Sequence, residues 1–164
     1  MSRLSTIELF KEDMKFSAGH FAIFSGTHRE NLHGHNYNVY VSYTTIIEDE
    51  GMTFDYRFYK NKLRDLCDEL NEIVLMPGLC KHLKIEDHGE YYHVLFNGEK
   101  IVFLKRDMKI LPVTNITVEE LSNYLLQQLV ADKVELVKNR IQEIIIKVYS
   151  GPGQGGSATW SLPS

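Results

Sequence analysis

Cysteine is scarce in this chain. Cys67 and Cys80 are the only two, and they form no Cys-x-x-Cys, so neither a disulfide framework nor a thiolate zinc knuckle can be built from them. Both read as reduced thiols. Long apolar runs are also missing: none approaches the roughly 18 residues that a membrane span needs. The opening Met1-Ser-Arg-Leu-Ser-Thr-Ile-Glu8 lacks the apolar stretch of a leader, so a cytoplasmic protein without a membrane partner is expected. There is no excess of positive charge. Eighteen Lys and Arg stand against 22 Asp and Glu, a net charge of −4, which removes the electrostatic footprint of a nucleic-acid binder. Repeats, low-complexity tracts and linker-like segments are absent as well. What remains is 164 residues, 43% apolar and 24% charged, the balance of one globular domain spanning residues 1–164.

The apolar pattern gives the element order. Ile7 to His20 alternates, with Phe10, Met14, Phe16 and Ala18 on one parity, and reads as one long half-buried strand. His35 to Ile47 alternates again, with Tyr37, Val39, Val41 and Tyr43 on one face, and should pair antiparallel with the first strand. Asp55 is placed to cap a helix whose stripe is Tyr59, Leu63, Leu66, Leu70 and Ile73. Thr117-Val-Glu-Glu120 resembles a capping box opening a second helix, with Leu121, Leu125 and Leu129 on one stripe, running to about Val137. Gln142 to Tyr149 and Ser157 to Leu162 read as the third and fourth strands. Tyr91 to Leu104 is two apolar runs around Asn97-Gly98, the strongest short hairpin signal, and reads as an inserted hairpin. The fold class is therefore α+β.

His33-Gly34-His35 carries the first chemical signal. Residues two apart on an extended segment project to the same face, so both imidazoles can reach one cation, and the glycine between them leaves space. The connection after His20 returns the chain so that this residue lies beside the start of the second strand. Three neutral imidazoles with an open fourth position make a catalytic zinc site. The His-x-His spacing taken alone is more often that of a polar edge.

The wider string settles on a family. Phe16-Ser-Ala-Gly-His20, then Arg29-Glu-Asn-Leu-His-Gly-His-Asn-Tyr-Asn-Val39, then Gly51-Met-Thr-Phe-Asp-Tyr-Arg-Phe-Tyr-Lys60 resembles the signature of the 6-pyruvoyltetrahydropterin and 6-carboxytetrahydropterin synthases over most of the chain outside the hairpin. The last segment departs from the family's G-x-x-x-D-F-x-x-L-K only at Tyr56 and Tyr59 among its fixed positions. The resemblance implies zinc held by His20, His33 and His35. It also implies a tunnelling fold (T-fold), a four-stranded antiparallel sheet with two helices on one face. Trimers or hexamers with pterin sites at subunit interfaces are expected, and folate or queuosine biosynthesis is the implied setting.

Four family positions qualify this. The family's usual cysteine, four or six residues before His33, is replaced by Arg29 or Thr27. A branch with Glu-x-x-His-Gly-His is matched instead by Glu30. Members of that branch cleave 7,8-dihydroneopterin triphosphate to 6-hydroxymethyl-7,8-dihydropterin, and Glu30 is then the expected general base. The family's L-D-H-x-x-L, whose Asp and His relay protons, reads Leu70-Asn71-Glu72-Ile73 here, leaving Glu72 as the candidate second proton carrier. The V-x-E that anchors the pterin edge reads Val148-Tyr149-Ser150, while Thr117 and Glu119 match the family's T-x-E. Thr117, Glu119 and Ser150 are the expected substrate-binding residues.

Other features have simpler accounts. Gly151-Pro-Gly-Gln-Gly-Gly156 fits a dinucleotide glycine pattern, but too few residues follow for the required helix, so it reads as a turn between strands. Cys80, near Lys81 and His82, reads as an inert thiol. Lys105, Arg106 and Lys109 read as a solvated face. The sequence thus implies a zinc-dependent pterin side-chain lyase. The alternatives are 6-carboxytetrahydropterin or 6-pyruvoyltetrahydropterin synthesis, or a catalytically impaired zinc-containing oligomer that binds pterin or purine-like ligands.

Overall fold

The computed structural model describes residues 1–163. Its strands in the first half are β1 (Arg3–Leu9), β2 (Lys15–His20) and β3 (His33–Ile47), followed by helix α1 (Arg57–Leu70) and β4 (Ile73–Pro77). Three short strands come next, β5 (Lys84–His88), β6 (Tyr91–Phe96) and β7 (Glu99–Leu104), then β8 (Met108–Leu111). Helices α2 (Val118–Val130) and α3 (Lys133–Lys138) precede β9 (Ile141–Gly151) and β10 (Gln154–Ser161).

The main sheet runs β10-β9-β3-β2-β4-β8, with β1 also pairing β3. Its antiparallel centre is the expected one, with β3 flanked by β9 on one side and by β1 and β2 in succession on the other. Two corrections follow. The first strand is not continuous from Ile7 to His20: Lys11, Glu12 and Asp13 cannot extend a buried alternation, so the chain turns and Met14 plugs the core. Met14 closes this turn by donating its N–H to Lys11 O and by accepting from Val39 N–H, both at 2.9 Å. Phe10, expected inside, is 67% exposed and stacks on Tyr40. The second correction is that β4 and β8 add two parallel strands to the β2 edge, making seven strands in a mixed sheet.

Helices α1 and α2 cover one face of this sheet. Tyr37, Val39, Val41 and Tyr43 are buried there with Ile144, Ile146 and Val148, against Leu63 and Leu70 of α1 and Leu121, Leu125 and Leu129 of α2. Each such fully buried side chain contributes roughly 1.5–3 kcal/mol relative to exposure. On α1 the stripe is completed by Cys67, whereas Ile73 belongs to β4. Burial pushes the Cys67 thiol up to about 12, so it stays protonated and inert.

The helix ends also refine the reading. Asp55 lies one position too early to be the N-cap, which is Tyr56, although its carboxylate accepts from the Arg57 backbone N–H at 3.0 Å. Thr117 does cap α2, accepting from Glu120 N–H. The reciprocal half of the box is absent, because the Glu120 carboxylate takes the N–H and hydroxyl of Thr114 instead. α2 stops at Val130, and Asp132 caps the separate α3 by accepting from Glu135 N–H at 2.9 Å.

The Asn97-Gly98 hairpin forms as expected, both residues having positive φ (47° and 77°) as a two-residue primed turn requires. The insertion is larger than the sequence suggested. β5 adds a third strand, and the small sheet covers a second core of Phe21, Ile23, Met76, Val94, Phe96 and Met108. No helix among the described residues is long and apolar enough to cross a membrane.

Candidate metal and catalytic site

The register of β2 against β3 builds the centre. His20 pairs with His33, Ala18 with His35 and Phe16 with Tyr37, so these six side chains alternate onto one face at the end of the antiparallel pair. His20, His33 and His35 each offer a ring nitrogen within 4.8 Å of the others. Gly34 keeps the strands close at this point: a Cβ there would meet the Ala18 carbonyl oxygen at 3.2 Å.

The ring orientations are set by main-chain carbonyls. His20 donates from Nδ1 to Ile116 O at 2.8 Å, and His33 donates from Nδ1 to Asn31 O at 2.7 Å, which directs both Nε2 lone pairs inward. The Nε2 atoms of His33 and His35 are 3.0 Å apart. The Nε2 of His20 is buried and has no hydrogen-bond partner among the described residues. An orphaned buried acceptor costs about 1–3 kcal/mol. A tetrahedral ion with metal–nitrogen bonds of about 2.0–2.1 Å would satisfy it and place neighbouring nitrogens roughly 3.4 Å apart. The cluster therefore fits a divalent cation. Burial, more than the neighbouring imidazoles, lowers the His20 pKa and favours the neutral ring that a metal ligand requires.

Glu30 stands beside this cluster. Its backbone N–H donates to Ala22 O and its Oε2 accepts from Ala22 N–H, each at 2.9 Å, which fixes the carboxylate 3.8 Å from His33 Nε2. The preceding residue is held still more firmly. The Arg29 guanidinium lies over the Phe21 ring at 4.6 Å, donates from Nη1 to Glu30 O at 2.8 Å, and pairs through Nη2 with Glu99 of β7 at 3.0 Å. The small sheet is thus tied to the loop that carries Glu30.

A cavity of about 180 Å³ opens on this group. Its walls include His20, Glu30 and His35 together with Thr117, Glu119 and Ser150. Gly156 of β10 permits this: a Cβ there would come within 2.7–2.8 Å of the Val118 and Glu119 backbone, so only glycine lets the first turn of α2 rest on the strand. The glycine-rich segment is the turn joining β9 to β10, with Gly153 at a φ of 76°.

Glu72 is not brought into this cavity. It lies exposed at a φ of 56°, in a separate hollow of about 490 Å³ that shares His35 and also contains Ser17, Asn36 and Asp107. The three basic residues do not gather at the site either: Lys105 pairs with Asp87, Arg106 with Asp107 and Lys109 with Glu69.

Sequence reasoning missed Tyr37 and Arg29. Tyr37 is two positions beyond His35 on the same parity and lines the cavity, and burial raises its pKa so that the phenol stays protonated. Parity alone could have found it. Arg29 could not have been found that way, because its partner Glu99 is distant in sequence.

Comparison with known proteins agrees with this geometry. Residues 8–155 match the family model described as 6-pyruvoyl tetrahydropterin synthase. A Methanocaldococcus jannaschii protein provisionally named a 6-carboxy-5,6,7,8-tetrahydropterin synthase is 26% identical over 144 residues, 87% of each chain. The 6-pyruvoyl tetrahydropterin synthase of Plasmodium falciparum superposes with a TM-score of 0.91 at 27% identity, over 97% of this chain and 99% of that one. The Plasmodium vivax enzyme gives 0.92 at 26% identity over 98% and 99%, and it has also been solved with a catalytic glutamate replaced by cysteine or by alanine. With the three imidazoles, the adjoining carboxylate and the T-fold sheet in place, the chain belongs to the 6-pyruvoyl tetrahydropterin synthase family, whose members are pterin-processing lyases.

Proposed function

We propose that this protein is a zinc-dependent lyase that cleaves the side chain of 7,8-dihydroneopterin triphosphate to 6-hydroxymethyl-7,8-dihydropterin, with Glu30 as general base. The observation that carries the reading is the Glu30 carboxylate, fixed 3.8 Å from a three-imidazole cluster in a chain that has no cysteine on that loop. The solved Plasmodium vivax variants support a glutamate in this role, since a glutamate is the catalytic residue named for that enzyme.

His20, His33 and His35 would hold the zinc. When bound, it supplies Lewis-acid polarisation of the substrate's side-chain hydroxyls. Glu30 removes the proton of the 2′-hydroxyl. The C1′–C2′ bond breaks, C2′ leaves as the aldehyde of the triphosphate fragment, and the electron pair on C1′ is delocalised into the pterin ring. Glu30 returns its proton to C1′, so the reaction needs no net acid, base or oxidant. Thr117, Glu119 and Ser150 would bind the pterin. Ser150 stands where a charged anchor is usual and would offer only a weaker neutral hydrogen bond, which leaves Glu119, exposed at the cavity wall, as the available carboxylate.

The cavity of about 180 Å³ is small against the roughly 300–1,000 Å³ of ligand sites. A second copy of the chain completing its wall, in a trimer or hexamer, accounts for the difference. Glu72, in the other hollow, would relay protons only if the substrate spans both spaces through His35.

Glu30→Gln is expected to lower turnover by about 10²–10⁴-fold while leaving the zinc content unchanged. Unchanged turnover would move the base elsewhere. Incubation of the wild type with 7,8-dihydroneopterin triphosphate should give 6-hydroxymethyl-7,8-dihydropterin. A 6-pyruvoyl or 6-carboxy product would assign the corresponding synthase instead, and absence of turnover would assign a binding protein.

A further inference from the structure

The small sheet carries a second cluster of ligating side chains, outside the cavity just described. In β5, Glu86 and His88 are two positions apart and share a face. In the antiparallel register Glu86 is paired with His93 of β6, which puts His93 on that face too. The opposite face of the same strands is the buried one, where Val94 and Phe96 pack into the second core. Glu86, His88 and His93 are consequently presented outward by a sheet anchored from behind.

Their ligand atoms lie within 4.8 Å of one another. His88 Nε2 is 3.0 Å from Glu86 Oε2, and the two imidazole rings stack at 3.8 Å between centroids, 18° from parallel. A β-sheet surface gives such groups a fixed backbone spacing, because the strands are joined by the short Gly89-Glu90 turn and cannot separate. The other carboxylate oxygen of Glu86 faces the Lys84 ammonium at 2.8 Å, so the carboxylate already neutralises one positive charge.

We propose that Glu86, His88 and His93 form a second divalent-cation site, with one carboxylate and two imidazoles as donors and water in the remaining positions. Two imidazoles and one carboxylate suit the borderline ions, zinc, nickel and copper, over magnesium and calcium, which prefer oxygen. Occupation requires one imidazole to turn out of the stack, since parallel rings direct their lone pairs alongside each other and not toward a common point. The ion would cross-link β5 to β6 and hold rigid the sheet that Arg29 and Glu99 connect to the Glu30 loop. It does not depend on the activity proposed above.

The test is metal stoichiometry on the full chain, stripped by chelator and titrated with Zn²⁺ alone. The wild type should take up two ions per chain, the double variant His88→Asn/His93→Asn one, and the double variant His33→Ala/His35→Ala one. Uptake of a single ion by the wild type that persists in His88→Asn/His93→Asn and vanishes in His33→Ala/His35→Ala overturns this site and leaves the first intact. A single ion that shows the reverse dependence supports this site and removes the metal from the proposed lyase. Should the variants fail to fold, crystals of the wild type grown with Zn²⁺ decide the matter. An anomalous peak within about 2.0–2.2 Å of all three side chains supports the site, and its absence there overturns it.

Discussion

Two clusters of three ligating side chains sit on similar secondary structure in this molecule, and the surroundings separate them. In both, two donors two residues apart on one strand meet a third from the antiparallel neighbour: His33 and His35 with His20, and Glu86 and His88 with His93. The first cluster has an interior member. His20 is 6% exposed, is oriented by the Ile116 carbonyl and keeps an unsatisfied nitrogen. In the second, no member is buried, Glu86 and His93 being half-buried and His88 exposed, and Glu86 is already engaged by Lys84 and His88. A strand register can therefore supply donors almost anywhere on a sheet. Burial of one donor, with its second ring nitrogen tied to main chain, is what makes the first cluster the one on which stability and the proposed activity are expected to depend.

The strongest break in that comparison is His20→Ala set against His88→Ala. Loss of His20 removes a proposed ligand and leaves a hole beside Ile116, so the first ion should be lost and turnover should fall about 10³-fold or more, the several kcal/mol expected from a Lewis-acid centre. The melting temperature should fall as well. His88→Ala, at the exposed cluster, should leave turnover at the wild-type value and, in chelator-stripped protein, the melting temperature as well, since only the stabilisation by an ion bound at that cluster is lost. Steady-state kinetics and thermal melts on the two proteins check this, and equal effects in both would erase the distinction drawn from burial.

Arg29 sharpens the comparison because it joins the two regions. Its side chain is 16% exposed, touches the Phe21 ring and bridges Glu30 O to Glu99. Arg29→Ala should cost about 1.5–3 kcal/mol of stability for a lost charged hydrogen bond. Because Glu30 is the neighbouring residue, turnover should fall about tenfold, well short of the roughly 10²-fold that a 1 Å misplacement of a catalytic group can cause. Arg29→Lys keeps the charge and loses the fork, so it should recover stability without fully recovering turnover. If both variants lose only stability, the small sheet does not position the base.

The expected fold and site were legible to different degrees, for physical reasons. Alternation along β3 and the β-branched run of β9 reported burial directly, and the His-x-His spacing needed only the two-residue period of a strand. The parallel strands β4 and β8 were not legible, being four or five residues long with partners fixed by distant chain. Asp55 sat one residue from its assigned role because an Asx turn and an N-cap use the same side chain and differ only in backbone position. Thr117, Glu119 and Ser150 were named separately from a family resemblance, and the cavity brings them together through the close approach of Gly156 to α2. Glu86, His88 and His93 carried no signal, since no strand is assigned to Lys84–His88 from the sequence and the pairing of Glu86 with His93 exists only in the folded sheet.

The smallest expected effect lies in the main chain behind His20. Ile116 O, which accepts from His20 Nδ1, immediately precedes Thr117, and the Thr117 hydroxyl caps α2 by accepting from Glu120 N–H at 3.3 Å. Thr117→Ala should therefore cost about 1 kcal/mol through the lost cap. Fraying of this helix start also loosens the carbonyl that orients His20. Changes to groups of that kind weaken metal affinity by about 10–100-fold when the partner itself is removed. Here the carbonyl remains, so Zn²⁺ affinity at the three-histidine site should fall less than tenfold, while affinity at Glu86, His88 and His93 stays constant. Thr117→Ser, which retains the hydroxyl, should restore both stability and affinity. Competition titrations with a chelator resolve differences of this size, and an equal loss at both clusters would mean that Thr117 acts on the whole fold and not through Ile116.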